Sequence, residues 1–251
     1  MSYTCQVRLD DGSMLRLRPE SWDYGIARSV LMDNEYRLPD TFDANDLIVD
    51  IGAHIGAFSH ACLHRGAGRV IAFEPEPANF SLAMENLAPF AEAIDLRAEA
   101  VWRSDRPSEP LRLRSASERL NTGGHRVVSD KGEARRIRAV SLDDVLSRLA
   151  RRVSLLKIDC EGGEYPILLT ASRLDLVEAI VGEFHRLGPG SIHGDVDESM
   201  RADGFDLLDE RVLISHLSTQ GFDVEIARCE EKSPNHGLFF ARRRVTPPSL
   251  A

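Results

Sequence analysis

The sequence has no uninterrupted apolar run approaching the roughly 18 to 20 residues that cross a bilayer. Its opening residues, MSYTCQVRLDDG, lack a basic stretch followed by an apolar one. Both absences disfavour membrane insertion and secretion, so a cytoplasmic protein with no membrane partner is expected. Cysteine is scarce: Cys5, Cys62, Cys160 and Cys229 lie far apart and form neither a CxxC pair nor a Cys/His cluster of zinc spacing. They read as reduced thiols, with Cys62 and Cys160 as core fillers. Basic residues are in the minority, 31 against 40 acidic for a net charge of −9, which disfavours a partner gripped through its phosphates. The clusters Arg135-Arg136, Arg151-Arg152 and Arg242 to Arg244 read as solvated faces, and no nucleic acid partner is expected. Internal repeats and low-complexity segments are also missing. What remains, 251 residues of which 43% are hydrophobic, is an ordinary globular composition. It is enough for one large domain, or one domain with an appendage.

Along the chain, CQVRL and SMLRLR alternate apolar and polar residues around Asp11-Gly12, a hairpin signal. Ile26, Val30 and Leu31 follow at helical spacing, and an irregular stretch closes at Pro39. Residues 1–45 are therefore expected to form a hairpin-and-helix appendage or lid. From residue 46 the character changes. DLIVDIG is a short, nearly continuous apolar run, as a strand buried on both faces should be. AFSHACLHRGAG reads as a helix, RVIAFEP as a strand, PANFSLAMENLAPF as a helix with Phe80, Ala83, Met84 and Leu87 in one stripe, and AIDLRAEAVW as a third strand. Such alternation predicts an α/β fold with a mostly parallel sheet and right-handed crossovers. Residues 103–140 break the rhythm and are expected to be a β excursion. Ser141-Leu142-Asp143-Asp144 then has the form of a capping box, VSLLKIDCEGGEY is a fourth strand, and helix PILLTASRL, strand EAIVGEFH, helix DVDESMRADG and strands FDLLDE, FDVEIAR and HGLFFARRR follow. The main domain is thus expected over 46–245, with a loose tail at 246–251.

The sharpest motif is Asp50-Ile51-Gly52-Ala53-His54-Ile55-Gly56, with Glu74 following at the end of the second strand. Gly52 and Gly56 permit a tight strand-to-helix turn and a close approach of ligand to backbone. Glu74 can accept both hydrogen bonds of a ribose diol. GxGxxG is absent, and an ionised aspartate before the first glycine would repel a pyrophosphate. It would suit a ligand carrying an amine and a sulfonium, namely S-adenosylmethionine. A plain glycine turn and a nicotinamide or flavin site are the other readings of these residues.

VDIGAHIGAFS, AFEPEPANF, AVWRSD, SLDDVL and LLKIDCEGGEYPIL, in this order, resemble the FkbM-type S-adenosylmethionine-dependent methyltransferases, over roughly residues 34–185. The resemblance implies the class I methyltransferase Rossmann-like sheet, mostly parallel and seven-stranded, with the last strand antiparallel. It implies that Asp50, Gly52, His54 and Gly56 line the methionine part of the cofactor and that Glu74 holds the ribose, with Ala53 and Pro75 as further cofactor-binding residues. Glu99, Ala100 and Val101 would pass the adenine, and Glu35 and Tyr36 would close over the cofactor as lid residues. Two departures stand out: Ala53-His54 where an asparagine is common at the second position, and Trp102 where a glycine often follows the Ala-Val pair.

Lys157, Asp159 and Glu161 alternate, so a strand would put all three on one face at its C-terminal edge, where open α/β sheets bind ligands. Three charges there are costly to bury unless paired or used. They read either as a structural network or as groups that orient substrate beside the methyl donor. Glu183 and His185 repeat the pattern on the next strand. Methyl transfer to oxygen needs alignment of nucleophile and sulfonium and removal of a proton. His185 is the catalytic base expected, with Asp159, Lys157 and Glu161 as further catalytic residues and Asp159 also touching the cofactor. No metal is required by the spacing; a weak alternative is Mg²⁺ or Mn²⁺ on Asp159, Glu161, Glu183 and His185. His193 and four other histidines show no partner pattern, and His236 is a weak pocket residue. The sequence is therefore read as an S-adenosylmethionine-dependent O-methyltransferase acting on a small molecule such as a sugar, polyketide or other natural product. The alternatives kept open are N-methylation and a catalytically inactive cofactor-binding module. A homo-oligomer is compatible with all of these.

Overall fold

The computed structural model describes residues 4–8, 12, 14–106, 111–116, 120–129, 135–228 and 235–245. The tail, Asp11 and Cys229 lie outside them. In chain order come β1 (Cys5–Arg8), β2 (Met14–Leu17), α1 (Asp23–Leu31), β3 (Leu47–Ile51), α2 (Ala57–His64), β4 (Arg69–Phe73), α3 (Pro77–Leu87), β5 (Ile94–Arg97) and β6 (Ala100–Trp102). The excursion holds β7 (Leu111–Arg114), β8 (Arg126–Val128) and β9 (Arg135–Ile137). It is followed by β10 (Ala139–Ser141), α4 (Leu142–Leu149), β11 (Leu155–Ile158), α5 (Glu164–Thr170), β12 (Ala179–His185), α6 (Glu198–Ala202), α7 (Glu210–Thr219), β13 (Phe222–Arg228) and β14 (His236–Arg243).

The main sheet runs β13-β14-β12-β11-β3-β4-β5. Its β5 to β12 half is parallel, and β14 is antiparallel to both of its neighbours. This is the seven-stranded arrangement that the resemblance implies. All five residues of β3 are buried, so its two faces serve two cores. Leu47, Val49 and Ile51 pack with α4, α5 and α7; Ile48 packs with α1, α2 and α3. Asp50, two residues on from Ile48, therefore looks toward α2. In β11 the same alternation sends Leu155 and Lys157 to that face, and the register sets Lys157 directly beside Asp50.

Four sequence expectations are corrected. The third strand does not run through 93–102: it breaks at Ala98-Glu99 into β5, which stays in the main sheet, and β6, which leaves it to pair in parallel with β10. The fourth strand ends at Ile158, so Glu161 sits in a turn with φ +56° and not on the strand with Lys157. FDLLDE contributes only a bridge between Leu187 and Leu208, and the segment after it is helix α7. Cys160 is only partly buried, unlike the fully buried Cys62. The excursion forms a three-stranded antiparallel sheet ordered β8-β7-β9. Ser141 caps α4 by accepting the Asp144 N–H at 3.1 Å. Among the described residues no helix is long and apolar enough to cross a membrane.

Candidate functional site

At the C-terminal edge of the parallel strands, where such sheets bind ligands, lies a cavity of about 1000 Å³. One wall is the turn after β3. Gly52 and Gly56 both have positive φ, +80° and +86°; a Cβ on Gly52 would stand 1.9 Å from the Asp159 carbonyl oxygen, and one on Gly56 2.9 Å from Leu87. The turn can therefore be tight only with glycine at both places. The His54 and Glu76 N–H groups donate to Glu74 Oε2 and Oε1, each at 2.8 Å. Each carboxylate oxygen keeps a lone pair for a ligand, which fits the two hydroxyls of a ribose. Burial pushes Glu74 up from 4.5 to about 7, against the pull of those two donors.

Asp50 and Gly56, expected to line the cofactor, stand behind this wall and not on it. Asp50 is completely buried: Ser59 Oγ donates to it at 2.7 Å and Lys157 Nζ lies 3.3 Å away. Lys157 also donates to the Gly52 carbonyl at 2.6 Å, while Tyr36 and Phe58 stand beside it, each ring centroid 5.9 Å from Nζ. Burial lowers the Lys157 pKa, but Asp50 and Asp159 outweigh it and hold the ammonium charged. This ion pair locks the glycine turn to β11. Tyr36 in turn donates to Asp159 Oδ2 at 3.0 Å. Tyr36 and Glu35 line the cavity, as do Gly52, Ala53, His54, Glu74, Pro75, Glu99, Ala100, Val101, Lys157 and Asp159.

His54 joins a network that sequence reading missed. Its Nε2 lies 3.0 Å from Thr122 Oγ1, which donates to Asp23 at 2.6 Å; Arg18 bridges Asp23 and Asn79; and Asn79 donates to the Thr122 carbonyl. Burial, with Arg18 and Lys157 adding to it and Asp23 opposing, lowers His54 to about 3, so the ring is neutral. Its Nδ1 is buried without a partner, a polar atom left for a ligand of the cavity. The network joins residues up to 99 positions apart, a pairing with no local signal.

The opposite wall holds Glu161, Glu183, His185, His193 and His236. His185 is 2% exposed; its Nδ1 lies 3.1 Å from Glu164 Oε1 and its Nε2 3.6 Å from Glu161 Oε2. Burial lowers its pKa, but Glu161 and Glu164 more than reverse this and carry it well above 6.5. With both nitrogens facing carboxylates, His185 is held in its protonated form, unlike the neutral base expected from the sequence. Glu183 pairs with His236 at 3.6 Å and is pushed up to about 8 by burial and by Asp159. His193 also reaches Glu161, Nδ1 to Oε2 at 3.7 Å. The signal that could have found it was the spacing of turn glycines around it at 188, 190 and 194, not any histidine pattern.

No curated protein matches the chain. Among solved structures it is similar in fold to TYW2 of M. jannaschii in complex with AdoMet, with 13% identity, coverage of 97% of this chain and 88% of that chain, and a TM-score of 0.53. It is similar also to TYW2 of P. horikoshii in complex with MeSAdo, with 13% identity, coverage of 96% and 72%, and a TM-score of 0.50. The strand order and single inserted antiparallel strand are those of the class I methyltransferases. The methyltransferase FkbM domain family model matches residues 50–207. Because that span is more than half of the 251 residues, the chain belongs to the FkbM methyltransferase family.

Proposed function

We propose that this methyltransferase carries the methyl group of S-adenosylmethionine to a hydroxyl of a small molecule, such as a sugar, polyketide or other natural product, in the cytoplasm. The observation that carries the reading is the single cavity that runs from Glu74 and the glycine turn to the carboxylate and histidine wall. In this reading Glu74 and Pro75 take the ribose, Glu99, Ala100 and Val101 flank the adenine, and Gly52, Ala53 and His54 border the methionine part. Asp50 and Gly56 act from behind, by fixing the turn. Glu35 and Tyr36 cover the donor, with Asp159 beside it.

The transfer is an in-line displacement in which alignment supplies much of the acceleration. The acceptor oxygen bonds the methyl carbon as the carbon–sulfur bond breaks, and the sulfonium leaves as the neutral thioether of S-adenosylhomocysteine. The hydroxyl proton passes to Glu161, which His185 orients from behind. Lys157 holds the edge of the sheet in place and opposes the upward push that burial gives the Asp159 carboxyl. The carboxylate-rich wall and the net charge of −9 favour a neutral or cationic acceptor over a polyanion such as RNA. The same carboxylates favour an amine as the second choice of acceptor.

Calorimetry with S-adenosylhomocysteine is the first test: saturable binding is expected, weakened at least tenfold by Glu74→Ala. Absence of binding to the folded wild-type protein overturns the reading. Incubation with isotope-labelled donor and a panel of hydroxyl and amine compounds then separates the acceptors by product mass. Binding without transfer to any compound in a cell extract would point to an inactive module.

A further inference from the structure

Glu161, His185 and His193 each offer one ligand atom, and these atoms lie within 4.8 Å of one another at the cavity wall. Glu161 Oε2 is 3.6 Å from His185 Nε2 and 3.7 Å from His193 Nδ1. A cation with bonds of about 2.1 Å needs its donors roughly 3.0 to 3.4 Å apart. The two Glu161 edges need a contraction of a few tenths of an ångström, and the edge between the two imidazoles, at most 4.8 Å long, has to close to the same span around one ion.

Three features of the surroundings fit such a set. Glu164 is 0% exposed; its Oε1 accepts the Cys160 N–H at 3.0 Å and faces His185 Nδ1 at 3.1 Å. That arrangement keeps a hydrogen on Nδ1, so a cation entering beside Glu161 would displace the proton from Nε2 and take its lone pair. A carboxylate behind a histidine in this way is the common support of a metal ligand. Glu161 itself sits at φ +56°, a conformation that non-glycine residues hold only where their surroundings impose it, and Gly162 follows at +101°. His193 is carried by a closed loop: the Gly188 N–H donates to the Gly194 carbonyl at 2.9 Å, the His193 N–H donates to Ser191 Oγ at 3.1 Å, and Arg126 donates to the His193 carbonyl. The loop is thus tied down on both sides of the ligand.

We propose that Glu161, His185 and His193 form a binding site for one divalent first-row transition cation, such as Zn²⁺, Mn²⁺ or Co²⁺. Two imidazoles and one carboxylate suit these ions better than Mg²⁺, which prefers an all-oxygen shell. The site differs from the all-side Asp159, Glu161, Glu183 and His185 set suggested by strand alternation, because Glu161 left the strand and His193 arrived from a distant loop. Three protein ligands on a cavity wall leave the remaining positions for oxygen from solvent or acceptor. The binding of the cation stands apart from the methyl-transfer reading; its action on an acceptor hydroxyl, lowering the pKa of that group, rests on it.

The test uses the full-length protein, stripped with a chelator and titrated with Co²⁺ while the visible ligand-field bands are recorded, with Zn²⁺ as competitor. One cobalt per chain with micromolar or tighter affinity, displaced by Zn²⁺, is expected. His193→Ala should weaken cobalt binding at least a hundredfold, and Glu164→Gln, which acts through His185, about tenfold or more. Both variants should keep the wild-type affinity for S-adenosylhomocysteine, and His193→Ala the wild-type melting temperature within a few degrees, whereas Glu164→Gln, which removes a charge from a buried pair, should melt lower; if His193→Ala fails to fold, His193→Gln takes its place. No saturable cobalt or zinc uptake, or uptake unchanged by the substitutions, overturns the site. A protein that binds cobalt as described but no S-adenosylhomocysteine supports the site and overturns the methyltransferase reading alone.

Discussion

Lys157 and Asp50 face each other across neighbouring strands, both almost fully shielded from water. Removing one partner leaves the other charge buried, which typically costs about 3–5 kcal/mol, whereas removing both often costs little. Lys157→Met is expected to lower stability by about that amount in urea unfolding, and Asp50→Asn combined with Lys157→Met by clearly less than the sum of the two single changes. Strict additivity would sink the idea that the pair acts as a unit. Gly52→Ala adds a Cβ 1.9 Å from a backbone oxygen at φ +80°; a loss of about 3 kcal/mol or more and of donor binding is expected. Glu74 gives a pH signature. Its folded pKa of about 7 exceeds the ordinary 4.5, so over that window the folded protein binds more protons than the unfolded chain. The ligand-free protein should therefore lose stability as pH rises from 4.5 to 7, then level off. Ribose hydroxyls donate to the ionised form, so donor affinity should rise over the same window, about tenfold from pH 6 to 8. A flat calorimetric profile, or one that Glu74→Gln leaves sloping, would count against this assignment.

At the scale of elements, the N-terminal hairpin is held by a side chain acting as a strand would. Asn86 on α3 accepts the Arg16 N–H at 2.7 Å and donates to the Arg16 carbonyl at 3.1 Å and to Ile55 at 2.9 Å. Leu15 and Leu17 of β2 are buried beneath it. Asn86→Leu is expected to destabilise by about 2 kcal/mol, the cost of stranding these groups, and to raise amide exchange at Arg16 first. Exchange that rises uniformly instead would mean the hairpin is not a separable unit. Elements buried on both faces were the most legible in the sequence: β3 and β4 are apolar runs, and the glycines and Pro77 mark where the helices begin. Helix α7 carries Leu213 and Leu217 one turn apart, a readable pattern obscured by the strand expected just before it. The departure of β6 could not be read. Ala100-Val101-Trp102 has the same character whether its hydrogen bonds go to β4 or to β10, and only tertiary pairing decides.

For the whole molecule, the sequence located the site edge but not its composition. Residues near one another in sequence, such as Gly52 and His54 or Lys157 and Asp159, were legible because strand ends converge by topology. Thr122 and His193 were not, because loops bring them in and no periodicity encodes where a loop returns; Asp23 and Glu164 were not, because they open α1 and α5 and nothing local shows which distant side chain the first residue of a helix will meet. The pairing of β6 with β10, Ala100 beside Ala139 and Trp102 beside Ser141, has a consequence for how this protein can change. The chain leaves for the excursion and comes back along two adjacent rails pointing the same way, so the gap to be bridged stays fixed whatever lies between. Lengthening a loop under that condition costs little, since closure entropy grows only logarithmically. Residues 103–138, apart from Thr122 and the buried Arg103 that tie back to the rest of the fold, thus form an insert on a socket of fixed spacing. A chimaera receiving this insert from a relative, with Thr122 kept as the partner of His54, should inherit the relative's acceptor preference and keep its own donor affinity within about tenfold; unchanged acceptor preference would argue that recognition lies elsewhere. Diversity of acceptors in such a chain can then arise by swapping one insert, with the cofactor machinery left as it is.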